Sequence, residues 1–98
     1  MPATLVMKRR IWLDTDSLLS LVVWDVTPSV RGSSHKYKYR LAYVVKDECL
    51  LRYDNEAGKG DHKHLGAVEI PIEFIDINKL VDDFVTEVNQ LRRQKCAP

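Results

Sequence analysis

The sequence predicts an α+β fold: an antiparallel β-sheet meander of about five strands with one C-terminal amphipathic helix packed on one face. Three observations predict it. Short runs of β-branched, aromatic and alternating apolar residues are separated by turn residues over most of the chain. The apolar period then changes once, to 3.6, near residue 77. Finally, 98 residues with 45% hydrophobic side chains suffice for one core and not for two, so residues 1–98 read as a single domain.

The first run, Leu5 to Leu13, is closed by Asp14, Thr15 and Asp16. The second, Leu18 to Val26, ends at a Pro- and Gly-containing break from Thr27 to Ser34. Trp12 and Trp24 lie in these two runs, and burial of their large rings against the helix is expected. Tyr37 to Val45 and Cys49 to Tyr53 form a hairpin whose register can be argued. A three-residue loop, Lys46-Asp47-Glu48, sets Val45 against Cys49, Tyr43 against Leu51 and Leu41 against Tyr53, so the apolar faces match. The other face then carries Arg40 across from Asp54, Ala42 across from Arg52, and Lys38 near Glu56. The stretch from Asn55 to Asp61 is read as a polar loop, and the last run, Val68 to Phe74, holds Pro71 and is an edge strand or extended segment. From Ile77 the stripe Leu80, Val81, Phe84, Val88 and Leu91 marks the helix, with Asp76 as its N-cap and Arg92, Arg93 and Lys95 toward its C-terminal end.

Composition narrows function mainly by exclusion. A net charge of +1 excludes a global basic field, so any electrostatic role is local. The longest apolar stretch, Leu18 to Trp24, is interrupted by Ser20 and falls far short of the roughly 20 residues of a membrane span. Met1 to Arg10 lacks the pattern of a signal peptide, which makes a cytoplasmic location and no membrane partner the expectation. Cys49 and Cys96 form neither a disulfide framework nor a zinc pattern.

The charge is unevenly placed. All three histidines lie between residues 31 and 66, where eight Lys and Arg stand against five acids, a local balance of +3. His35, Lys36, Lys38, Arg52, Tyr53 and Lys63 are the RNA-contacting candidates, because cations beside aromatic rings suit a phosphate backbone and unstacked bases. The same alternation also describes any half-exposed strand. Lys8-Arg9-Arg10 is too short to read as a basic arm. Gly58 and Gly60 flank Lys59 without the spacing of a Walker loop.

His62 and His64, in an extended segment, project to the same side. One chemistry open to them is acid–base cleavage of RNA, in which a ribose 2′-hydroxyl attacks the adjacent phosphate. His62 and His64 serve as general base and acid, Arg40 and Lys59 stabilise phosphate charge, and Asp54 orients Arg40 or one imidazole. That route expects no cofactor. A divalent metal is the other possibility, with Asp54, Asp61 or His35 as the further ligand, although no second ligand pair has recognisable spacing. The plain alternative is that both histidines are surface loop residues.

Taken together, Ser34 to Val45, Leu51 to Glu56 and Gly58-Lys59-Gly60-Asp61-His62-Lys63-His64 resemble the TumE-like family of toxin–antitoxin proteins. The resemblance extends to the C-terminal helix, with Phe74 before it and Leu80-Val81-Asp82-Asp83-Phe84 in it; Ile70 to Phe74 is less polar than the family pattern. It implies a toxin component with a cognate helix-turn-helix antitoxin as partner, and a nuclease is a frequent expectation for such toxins. The leading expectation is therefore an RNA-cleaving toxin, an endoribonuclease. The alternatives are a non-enzymatic RNA- or protein-binding module and a metal-dependent nuclease. The exposed edge of the meander offers a second copy a place to pair as a homodimer.

Overall fold

The computed structural model describes residues 3–26, 35–56 and 60–96. Six strands and one helix follow in chain order: β1 (Ala3–Trp12), β2 (Ser17–Val26), β3 (Tyr37–Val45), β4 (Glu48–Glu56), β5 (Gly60–Leu65), β6 (Val68–Pro71) and α1 (Ile77–Cys96). The strands form one antiparallel sheet in the order β1-β2-β3-β4-β5-β6, a meander with neighbours in sequence paired in space. The additional strand is β5, which begins at the end of the Asn55 to Asp61 segment read as a polar loop and runs on through His62 and His64. Its side chains alternate across a sheet whose second face is itself polar, so the apolar signal of a strand is missing.

One face of the sheet is the core. Leu19, Leu21, Val23, Tyr39, Leu41, Tyr43, Val45, Leu51 and Tyr53 pack with Leu80, Phe84 and Val88 of α1. Period 2 on the strands and period 3.6 on the helix thus meet at one interface. Phe84 is fully buried and meets the Tyr53 ring edge-on, centroids 5.3 Å apart. The helix starts where expected: Asp76 accepts the Lys79 backbone N–H through its side chain at 2.7 Å. Glu87 pins α1 to the sheet, accepting from the Tyr53 hydroxyl at 2.6 Å and from Lys63 Nζ at 3.0 Å.

The β3–β4 register agrees with expectation at four positions, Arg40 with Asp54, Leu41 with Tyr53, Ala42 with Arg52 and Tyr43 with Leu51. It differs at the turn. Val44 pairs with Cys49 and Val45 with Glu48, leaving a two-residue turn, Lys46-Asp47, and a bulge at Leu50. Both turn residues have positive φ, 50° and 65°, the twist that suits a tight hairpin. The bulge absorbs the extra residue and returns the apolar faces to match. The side-chain neighbourhood of Glu56 and the Thr27–Ser34 break lie outside the described residues.

The two tryptophans correct a second expectation. Trp12 and Trp24 are 61% and 37% exposed and lie on the face opposite α1. They share strand parity with Leu18 and Lys38, not with the core residues Leu19 and Tyr39. The helix covers only one face, and the second face is open.

Candidate functional site

The register assembles the open face from sequence-distant residues. One row across the sheet reads Lys8, Val22, Arg40, Asp54, His62 and Pro71; the next reads Arg10, Ser20, Ala42, Arg52, His64 and Glu69. From β1 to β5 each row spans about 19 Å at the usual strand spacing. Beside them, Trp24, Lys38, Arg40, Arg52 and Asp54 border an open groove of about 420 Å³. Five cations therefore share a face with both histidines of β5.

At the β4–β5 end of that face the side chains converge. Asp54 Oδ1 lies 2.7 Å from His62 Nε2 and 3.9 Å from His64 Nε2, and its Oδ2 lies 2.8 Å from Arg52 Nε. The two imidazoles meet edge-on, ring centroids 4.9 Å apart. His62 is the inner one, its side chain 4% exposed, and His64 the outer, at 25%. Glu69 stands at the rim, 3.6 Å from His62 Nε2. His62 Nδ1 lies 3.1 Å from the Gly60 carbonyl, which only accepts, so Nδ1 carries a proton. Gly60 reaches that position with φ of 75°, a conformation glycine adopts without penalty.

Among the described residues, four buried side-chain atoms lack a hydrogen-bond partner: Arg52 Nε, Asp54 Oδ1, His62 Nε2 and His64 Nε2. All four belong to this cluster. Arg52 Nε, Asp54 Oδ1 and His62 Nε2 each stand within ion-pair distance of a partner, so His64 Nε2, 3.9 Å from Asp54 Oδ1, is the least satisfied of the four. Asp54, His62 and His64 each offer one ligand atom, the three within 4.8 Å of one another, the arrangement of a set able to hold a metal ion.

Of the residues singled out from the sequence, Arg40, Asp54, His62 and His64 come together, and Lys38 and Arg52 border the same face. Asp54 contacts Arg52 and His62, and Arg40 is its neighbour across the strand pair. Four other residues stand elsewhere. Tyr53 and Lys63 point to the helix side, where Glu87 engages both. His35 bonds Asp61 at 2.8 Å and stacks on Phe74, ring centroids 3.6 Å apart. Lys36 pairs with Asp25 at 3.2 Å, and Lys59 lies outside the described residues. Of the three residues weighed as a further metal ligand, Asp54 is the one beside the histidine pair.

His35, Asp61 and Tyr39 make a separate, satisfied cluster: the Tyr39 hydroxyl donates to the same Asp61 oxygen at 2.7 Å. Burial, then the hydrogen bond to Asp61, pushes the Tyr39 hydroxyl far above the ordinary tyrosine range; burial and Glu87 do the same to Tyr53. These polar pairs brace the helix face. Sequence reading missed Lys8, Arg10 and Trp24 as members of the open face. The available signal was the two-residue spacing of Lys8 and Arg10, which places both on one side of a strand.

A protein-family model described as "Toxin TumE" matches residues 3–92, nearly the whole chain. The chain belongs to the TumE toxin family. Comparison with curated proteins and with solved structures returned no match. Membership makes this TumE-family chain the toxin component of a toxin–antitoxin system and implies an antitoxin partner. Among the described residues of this TumE-family toxin, no helix is long and apolar enough to cross a membrane.

Proposed function

We propose that this toxin cleaves RNA laid across its open sheet face, with Asp54, His62 and His64 as the reactive centre. The observation that carries the reading is the convergence of a cationic face on one buried polar cluster. Lys8, Arg10, Lys38, Arg40 and Arg52 supply phosphate contacts, and Trp24 supplies a ring on which an unstacked base can lie. Arg40 and Arg52, on either side of Asp54, are the cations nearest the point where negative charge builds on phosphorus. In the acid–base version His62 and His64 exchange protons with the RNA as general base and acid. In the metal version the same side chains act as ligands. Burial of His62 behind His64 favours the second assignment for the inner ring.

The antitoxin is proposed to be a helix-turn-helix protein, as the resemblance implies. A homodimer would form at a free sheet edge, either β1 or β6; Pro71 lies in β6, which makes the ten-residue β1 the better pairing edge.

The test is purified protein incubated with total cellular RNA, comparing wild type with the His62→Ala/His64→Ala double variant. Cleavage by wild type and none by the folded variant is the expected result. Saturable, salt-sensitive binding by both without cleavage would replace the enzyme with an RNA-binding module. Absence of both binding and cleavage would remove RNA from the function.

A further inference from the structure

We propose that Asp54 Oδ1, His62 Nε2 and His64 Nε2 bind one divalent transition-metal ion, of the Zn²⁺, Mn²⁺ or Co²⁺ class. The inference rests on the RNA-cleaving reading for the purpose of the ion, and on side-chain geometry alone for its existence.

The geometry is that of acceptors facing one another. With Nδ1–H facing the Gly60 carbonyl, the His62 tautomer able to ligate an ion presents its lone pair at Nε2, and the Asp54 oxygen 2.7 Å away presents another. Lone pairs that close repel unless positive charge lies between them. A proton would serve one pair, but this contact lacks the alignment of a hydrogen bond, and His64 Nε2 would still have no partner. One metal ion serves all three atoms.

The surroundings are those of a supported metal site. The Gly60 carbonyl engages His62 Nδ1, and Arg52 pairs with Asp54 Oδ2, so Oδ1 is the oxygen turned to the two imidazoles. Two neutral imidazoles and one carboxylate suit a first-row ion of intermediate softness rather than Mg²⁺ or Ca²⁺, which prefer oxygen ligands. Three protein ligands leave a coordination position open, the pattern of catalytic rather than structural sites. All three ligands lie on the open face, beside the arginines that would hold phosphate.

The experiment titrates untagged, chelator-stripped protein with Zn²⁺ and with Mn²⁺ alone by calorimetry, follows Co²⁺ by visible absorption, and uses no RNA. Expected is one equivalent bound by wild type and by His35→Ala, with affinity weakened at least 100-fold in His64→Ala. His64 is partly exposed, so this variant should keep the wild-type circular dichroism; Asp54→Asn gives a second, nearly isosteric test. No binding by wild type at millimolar ion, or unchanged affinity in a folded His64→Ala, overturns the site. Because binding is read without RNA, failure here is separate from failure of the cleavage assay. Cleavage that persists in chelator with no ion bound would keep the nuclease and reject the metal.

Discussion

Asp54 and His62 are direct cross-strand partners on β4 and β5, and their facing atoms, Oδ1 and Nε2, lie 2.7 Å apart without forming a hydrogen bond. Register places them together, the Gly60 carbonyl sets the imidazole, and the Arg52 ion pair turns the carboxylate. The arrangement is poorly satisfied as a structural contact and well suited to holding a cation. Stability and function should therefore separate at this position.

Asp54→Asn is the sharpest test of that separation. Its amide removes the negative charge while keeping the shape of the side chain, and its oxygen can still accept from Arg52 Nε. In chelator, the variant is expected to stay within about 1 kcal/mol of wild type in stability, while toxicity in cells is lost. Thermal unfolding and a growth assay check the two halves. A destabilisation of more than about 2 kcal/mol would mean that the carboxylate is a structural partner after all.

The cationic rows predict a measurable salt dependence. Replacing Lys8 and Arg10 together by Ala should weaken RNA binding across sequences and reduce the slope of log K against log salt by about 1.4, from roughly 0.7 per single-strand phosphate contact. Both residues are exposed, so unfolding should barely change. An unchanged slope would take RNA off this part of the face. Trp24→Ala should cost about 1–3 kcal/mol of binding if a base stacks there.

Alkaline stability follows from the two braced tyrosines. In the unfolded chain both ionise near pH 10, whereas in the fold the Tyr39 and Tyr53 hydroxyls are held protonated well above that. Above about pH 10 the unfolded state has released protons that the folded state retains, so unfolding gains and stability falls as pH rises. The contribution is complete below pH 10 and lost progressively above it. Urea midpoints measured from pH 8 to 11 should decline, and the decline should be shallower in Tyr39→Phe and in Tyr53→Phe.

The helix–sheet interface is centred on Phe84. Truncation to Ala removes a fully buried ring that contacts Tyr53 edge-on, and the expected cost is about 3–5 kcal/mol. For a domain of this size that approaches the whole stability, so urea unfolding of Phe84→Ala should show a much lower midpoint or no folded baseline. A loss below 1 kcal/mol would mean that the helix is not the principal cover of this face.

Much of the fold was legible because a buried face imposes its period on the residues that form it. Tyr39, Leu41 and Tyr43, and the Leu80, Phe84 and Val88 stripe, could each be placed by spacing alone; Leu19, Leu21 and Val23 could not, because Leu18, Val22 and Trp24 make the other face of that strand apolar too. The Asp76 cap and the Arg40–Asp54 and Ala42–Arg52 register followed from the same logic. The two-residue turn with its Leu50 bulge did not, because Lys46 and Asp47 give no glycine signal for their positive φ. β5 was hidden for a different reason. His62 and Lys63 both look polar, yet one faces the open side and the other Glu87, so no apolar alternation marks the strand.

The candidate site divides in the same way. That His62 and His64 share a side is a property of two-residue spacing, and that Arg40 opposes Asp54 is a property of one hairpin; local chain geometry determines both. Which further ligand stands beside the histidine pair was open among Asp54, Asp61 and His35, and the face each tryptophan occupies was read as the helix side. Those answers depend on strand order and on which face the helix covers. Covering one face consumed Tyr53 and Lys63, left Trp24 open, and aligned Lys8 and Arg10 with residues some 30 to 50 positions away. Sequence alone determined the elements and their periods, because these are short-range consequences of backbone geometry and burial. Tertiary structure decided the site, because its charges and lone pairs meet only after the strands have been laid side by side.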